Sequence, residues 1–361
     1  MSTQILWWAV FSAASTLLLA LPLVPALLEW LHPTDVAPLP IAREHDGDIR
    51  RFALALRDRI EPFLPALADA NRKGENIAAS LPDGAPLLLL GIPEELPGGP
   101  LEGLVPKAIV AALRDIRVFS GFPPASAWFT GADLSAGPGA ELRSAFAGGD
   151  IRLDGGVQVL RWIHAGGTLA AAEGCRLNGR ASANRAIQLG ADVAFERLNA
   201  PTVRTGRGAP PGDRHEEDLS AFEPRGHALD LAGRSNLLVG DLEVPPGHAV
   251  ETNIVVLGRL SLGAGTEVRG SIKAKGLLEI GPGAAVTGAA VCAGDISVGP
   301  DAAVGGPLVA EGGLRLAEGS RVGSPAHQTT VSARYIAVAP NVSVHGTLWA
   351  RDWGITEGAA T

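Results

Sequence analysis

The feature that most constrains this chain is an internal period of 18 residues. Val250, Val268, Val286, Val304 and Val322 close successive segments at that spacing, and Val159, Leu177 and Phe195 continue it upstream. Three residues before the closers stand Gly156, Gly174, Asp192, Gly247, Gly265, Gly283, Asp301 and Gly319, residue types that tolerate a positive φ. Ten before them come Gly149, Gly167, Gly240, Gly258, Gly276, Gly294 and Gly312, with Arg185 as the exception. Between these corners apolar residues alternate: Leu260 and Leu262, Leu278 and Ile280, Ile296 and Val298, Leu314 and Leu316, and upstream Ile187 and Leu189. Period two means short strands. A unit of three such strands cannot satisfy its own backbone, so it must pair with the equivalent units above and below.

The expected fold is therefore mainly β: one single-stranded β-helix, a solenoid of triangular section, over residues 126–353. Residues 196–232 hold Pro201, Pro210, Pro211 and the polar run Asp213–Asp218, break the register, and read as a loop thrown out of one edge of a continuous rod. Residues 354–361 read as a short tail, too small to cover the last turn. That end of the rod is expected to be sticky, with self-association through Leu348, Trp349 and Trp353.

Ahead of the rod, residues 1–31 read as a membrane anchor. Ile5–Leu28 carries no charge, and at about 1.5 Å per helical residue it is long enough for a bilayer core of about 30 Å. Trp7, Trp8 and Trp30 sit at its ends, where such rings favour the interfaces, and Pro22 and Pro25 fall in the last turns. A cleaved signal is disfavoured, because no Lys or Arg precedes the run. Arg43, Arg50 and Arg51 follow it, which predicts a single pass of the inner membrane with the C-terminal domain cytoplasmic.

Residues 32–125 read as a linker and a small α/β cap. Phe52, Leu56, Ile60, Phe63 and Leu67 have helical spacing interrupted by Pro62 and Pro65, so a broken amphipathic helix is expected. Leu87–Leu90 and Arg117–Phe119 read as strands and Val105–Arg114 as a short helix.

Composition excludes several functions. A net charge of −8 disfavours nucleic acid as a partner. The chain has 2 Cys, Cys175 and Cys292, each inside an apolar repeat, which read as core rather than as ligands or nucleophiles. His215, Glu216, Glu217 and Asp218 are metal-binding types without ligand spacing, so no metal and no cofactor is expected. Trp162 and Arg180 share one outward slot in adjacent turns, and His164 shares another with Phe146 and Ser182, which makes Trp162, His164 and Arg180 a candidate surface patch. The plainer reading is a cation and ring contact beneath the 196–232 loop.

The turns 269–286 (RGSIKAKGLLEIGPGAAV) and 287–304 (TGAAVCAGDISVGPDAAV) resemble the bactofilins, bacterial polymer-forming cytoskeletal proteins, and the resemblance covers about residues 233–353. It implies a right-handed β-helix that assembles end to end without nucleotide or metal, lies on the membrane, and positions envelope-building or polysaccharide-synthesis machinery. The full membrane helix and the turns upstream depart from that family's pattern. The competing reading is a membrane-bound acyltransferase with a left-handed hexapeptide-repeat helix, since every sixth residue from Val286 to Val322 is apolar or small. Those repeats want a small residue two before each such position, where this chain has Ile272, Leu278, Ile296, Leu308 and Leu314. An enzyme of the lyase or hydrolase kind would need clustered carboxylates on one face, and none is visible.

Overall fold

The computed structural model describes residues 3–24, 48–91, 108–121, 127–206, 227–228 and 237–358. They fall into two units, Met1–Asp48 and Ile49–Thr361. In the first, helix α1 (Thr3–Ala20) runs into a 3-10 turn at Leu21–Leu23 that contains Pro22. Its window Leu6–Leu23 has a mean hydropathy of 1.7 and no buried residue, so it is long and apolar enough to cross a membrane. Pro25, Trp30 and Arg43 lie outside the described residues.

The second unit opens with the broken amphipathic helix. Helix α2 (Arg51–Ile60) and helix α3 (Leu64–Lys73) are separated by a 3-10 turn that carries Pro62. Leu56, Ile60 and Leu67 are buried as the spacing predicts, with Ala53 and Ala70 beside them, whereas Phe52 of the same series is exposed and Phe63 half-buried. A hairpin follows, Ile77–Ser80 antiparallel to Pro86–Leu90.

From there the coil begins, earlier than residue 126. Pro86–Leu90 pairs in parallel with Ile109–Ala112, which pairs in parallel with Ala127–Thr130. The helix expected over Val105–Arg114 is thus a strand at Ile109–Ala112. Its four residues are all buried between two neighbours, and so short an apolar run takes its conformation from that pairing. Ile116–Val118 is a strand as expected. The cap reduces to α2, α3 and the Ile77–Ser80 strand, which pack on the outer face of the first turns through Leu87, Leu89, Ile109, Ala111, Phe129 and Phe146.

Two coils are present instead of one. The first runs from Pro86 to Thr205 and the second from His227 to Thr356, each with parallel strands stacked turn on turn. In the middle turns of the second coil the register repeats at the expected spacing, as in Ile254↔Ile272↔Ala290↔Leu308, whereas toward the end Leu314↔Ile336 and Val322↔Val344 are 22 apart, as extra residues near Pro325 require. The corners are as read: Gly283 has φ 64°, and Asp192, Asp301 and Asn341 stand in the same left-handed slot at 53°, 55° and 60°. The other glycine column has a different physical basis. A Cβ on Gly294 would collide with the carbonyl oxygen of Gly276 one turn below, so that slot selects against side-chain volume.

The coils meet at their last turns. Ala194–Thr205, whose residues from 196 onward were expected in a loop, is a strand paired antiparallel with Ser343–Thr356. Gly354, Ile355 and Thr356, expected in a tail, belong to that second strand. Residues 207–226 and 229–236 lie outside the described residues. One apolar core, from Leu88 to Ala350, runs through both coils and across the joint.

Candidate functional site at the joint and the open end

The joint has an internal two-fold. Leu198 faces Leu348 at its centre, flanked by Arg197 opposite Trp349 and Asn199 opposite Thr347. The two outer ends repeat one set of hydrogen bonds. The Thr356 hydroxyl donates to the Gly190 carbonyl (2.7 Å) and accepts from the Val193 N–H (2.9 Å). The Thr205 hydroxyl donates to the Ala339 carbonyl (2.6 Å) and accepts from the Val342 N–H (3.1 Å). The backbone N–H groups of Asp192 and Asn341, both left-handed corners, donate to the carbonyls of Thr356 and Thr205. The last turns of the two coils are equivalent halves of one isologous contact, the geometry usual between identical subunits.

This joint overturns the expected exposure of the C-terminal turn. Ser343–Thr356 has Thr329–Val338 on one edge and, except over 350–353, Ala194–Thr205 on the other. Leu348 is buried. Trp349 lies under the Arg197 guanidinium at 3.9 Å, and Trp353 packs beside Tyr335 with ring centroids 5.3 Å apart. Leu348 is covered by the joint, while Trp349 and Trp353 remain partly exposed beside it.

The start of the second coil is the reverse. Among the described residues, Leu237–Leu238 pairs only with the strand Ile254–Val256, and Leu242–Val244 only with Leu260–Leu262. Leu238 and Leu242 are only partly covered, while Leu237 and Val239 are exposed. The start of the first coil has a partner beyond its last parallel strand, because Ile77–Ser80 adds to Pro86–Leu90.

The patch read from Trp162, His164 and Arg180 has the expected register: Arg180 pairs with Trp162, and Ser182 with His164, which pairs with Phe146. The three do not share a surface. His164 is 2% exposed, with Nδ1 2.9 Å from the Ser182 hydroxyl and its ring beside Phe146, which stacks on Phe129. Trp162 packs against the cluster beneath α2 and α3. Arg180 lies over the ring of Phe52 on α2 at 4.6 Å, so the cation and ring contact has a helix as partner, not the 196–232 loop.

Sequence spacing missed Arg197 and its contact with Trp349. Counting 18 from Arg180 gives Leu198, but Gly179, at φ 79°, shifts the register so that Arg180 pairs with Arg197. That shift left a slot count one residue out.

Cys175 and Cys292 are buried, and burial pushes both thiols up. The run His215–Asp218 lies outside the described residues; among those described, no group of three or more His, Cys, Asp or Glu could hold a metal ion.

Comparison with protein-family models, with curated proteins and with solved structures found no match for this chain.

Proposed function

We propose that this protein is a membrane-tethered, bactofilin-like structural scaffold that self-associates through the open start of its second coil. The observation that supports the reading is the contrast in backbone pairing: among the described residues, Leu237–Leu238 and Leu242–Val244 have a partner on one side, while the far end of the same coil is paired on both. An unpaired strand edge over a half-covered apolar section is a template for another chain. The joint within the chain supplies the pattern, since two coil ends of this section fit each other about a two-fold with antiparallel strands. A second copy would meet the first in the same way, giving a discrete pair, and the long faces would carry the envelope-synthesis proteins that such a scaffold positions.

In this reading α1 anchors the chain in the inner membrane, and Arg50 and Arg51 beyond it favour a cytoplasmic C-terminal domain. A reporter fused after Thr361 should be active in its cytoplasmic form; alkaline phosphatase activity there would reverse the orientation.

The test of assembly uses the full chain in detergent micelles. Light scattering should find a dimer for the wild type and a monomer for Leu238→Lys, Leu242→Lys, because a two-fold contact sets each new charge near its copy. A wild-type monomer at every concentration, or a charge variant that still pairs, would overturn this reading.

A further inference from the structure

A feature beside the joint points to a ligand, independently of how the protein assembles. Arg180 and Arg197 are register partners on adjacent parallel strands, whose backbones lie about 4.8 Å apart. Like charges opposite each other destabilise a sheet. Both side chains are nonetheless fixed. The Arg180 guanidinium sits 4.6 Å from the centroid of Phe52, and that of Arg197 sits 3.9 Å from Trp349. Both residues are half-buried. Among the described residues, no carboxylate forms an ion pair with either guanidinium. Two other arginines, Arg185 and Arg334, do have acidic partners, Asp150 at 2.7 Å and Asp352 at 2.8 Å. Burial and the charge of Arg180 both bring the Arg197 pKa down, against the smaller opposing pull of exposed Glu196. Two cations are thus held together on rings, with no carboxylate among the described residues paired to either.

We propose that Arg180 and Arg197 form a binding site for a phosphate-bearing group. A guanidinium held over a ring keeps its N–H fork free at the edge, and forks of this kind bind phosphate oxygens in pairs. Two adjacent forks match a doubly charged group with several oxygens, whereas one carboxylate occupies a single fork. The aromatic rings of Phe52 and Trp349 flank the pair and bring α2 and the last turn of the second coil to the same site. The phosphate can come from a soluble diphosphate or from a lipid headgroup.

The test uses the full chain in detergent micelles with two probes, inorganic pyrophosphate and a short-chain phosphatidic acid, and a short-chain phosphatidylcholine as control. Binding is followed by calorimetry and by the melting temperature. The wild type should bind one of the two probes and melt higher in its presence. Arg180→Gln and Arg197→Gln should bind about tenfold or more weakly. Arg197→Lys keeps the charge without the fork, and it should also bind weakly while melting near the wild type without ligand. Preference for pyrophosphate would identify a soluble ligand, and preference for phosphatidic acid a lipid. No binding of either probe by the wild type, equal binding of phosphatidylcholine, or unchanged affinity in both Gln variants would overturn the proposal.

Discussion

The two coils are built from the same corner chemistry and differ in what surrounds it. The first is covered at its start by a hairpin strand and two helices, has aromatic rings on an outer face, and carries a register shift at Gly179. The second keeps the 18-residue period through its middle turns and begins with strands paired on one side among the described residues. At their last turns the difference vanishes, because Thr205 and Thr356 make the same bonds to the opposite coil. The corners set a solenoid's section, whereas its ends and outer faces decide what it joins.

The largest effect should come from breaking the joint at its centre. Leu348→Asp would place a carboxylate in a dry contact against Leu198, at a cost of about 4 kcal/mol or more. The same substitution at Leu242, only partly covered at the open end, should cost much less. Denaturant melts of both variants would check this. Equal losses would mean that the joint is no better packed than the open end.

A smaller loss is expected at a corner of the regular coil. No atom lies within 4 Å of a Cβ built on Gly283, so Gly283→Val is strained through its φ alone and should cost about 1–3 kcal/mol. Gly283→Asn should recover most of it, because Asn341 occupies the equivalent slot at φ 60°. Thermal melts that rank the two variants equally would remove φ as the cause.

The two-fold at the joint can be tested by matched substitutions. Thr205→Val and Thr356→Val each remove a hydroxyl that both donates and accepts, at about 1–3 kcal/mol apiece. Equal losses are expected although the residues lie in different coils. A loss at one site only, measured by urea unfolding, would show that the halves are not equivalent.

Much of this was legible in the sequence for a local reason. A left-handed corner needs Gly, Asp or Asn, and a close pass of two turns needs Gly, so both requirements leave columns such as Gly283 and Gly294 at fixed spacing. The break in α2 and α3 shows as Pro62 for the same reason. The joint was not legible. Leu198 and Leu348 meet about a two-fold, a relation that leaves no period in the chain. Residues 196–205 alternate less cleanly than the regular turns and contain Pro201, so they resemble a loop until Ser343–Thr356 is placed beside them. Ile109–Ala112 was obscured by its shortness, since four apolar residues have too little length to show which period they follow.

The smallest effect concerns the slot where the first coil departs from the glycine column. Arg185 takes the place of a Gly there, and its guanidinium returns to Asp150 at 2.7 Å, passing Gly167. Asp150 also accepts the backbone N–H of Thr168 at 2.8 Å. That backbone bond first, and Arg185 second, hold the Asp150 carboxyl below its ordinary value of 3.8, against a partial desolvation that raises it. Because the folded pKa is the lower one, the stabilisation is complete above about pH 4 and is lost as pH falls through the folded value. Asp150→Asn lacks it at every pH. The variant should melt below the wild type at neutral pH, and the gap should narrow in acid. Asp69 and Asp352 are lowered as well, but they are common to both proteins and cancel in the difference. A gap that stays constant from neutral pH into the acid range would show that the substitution acts through packing alone and that the charge bridging these turns adds nothing.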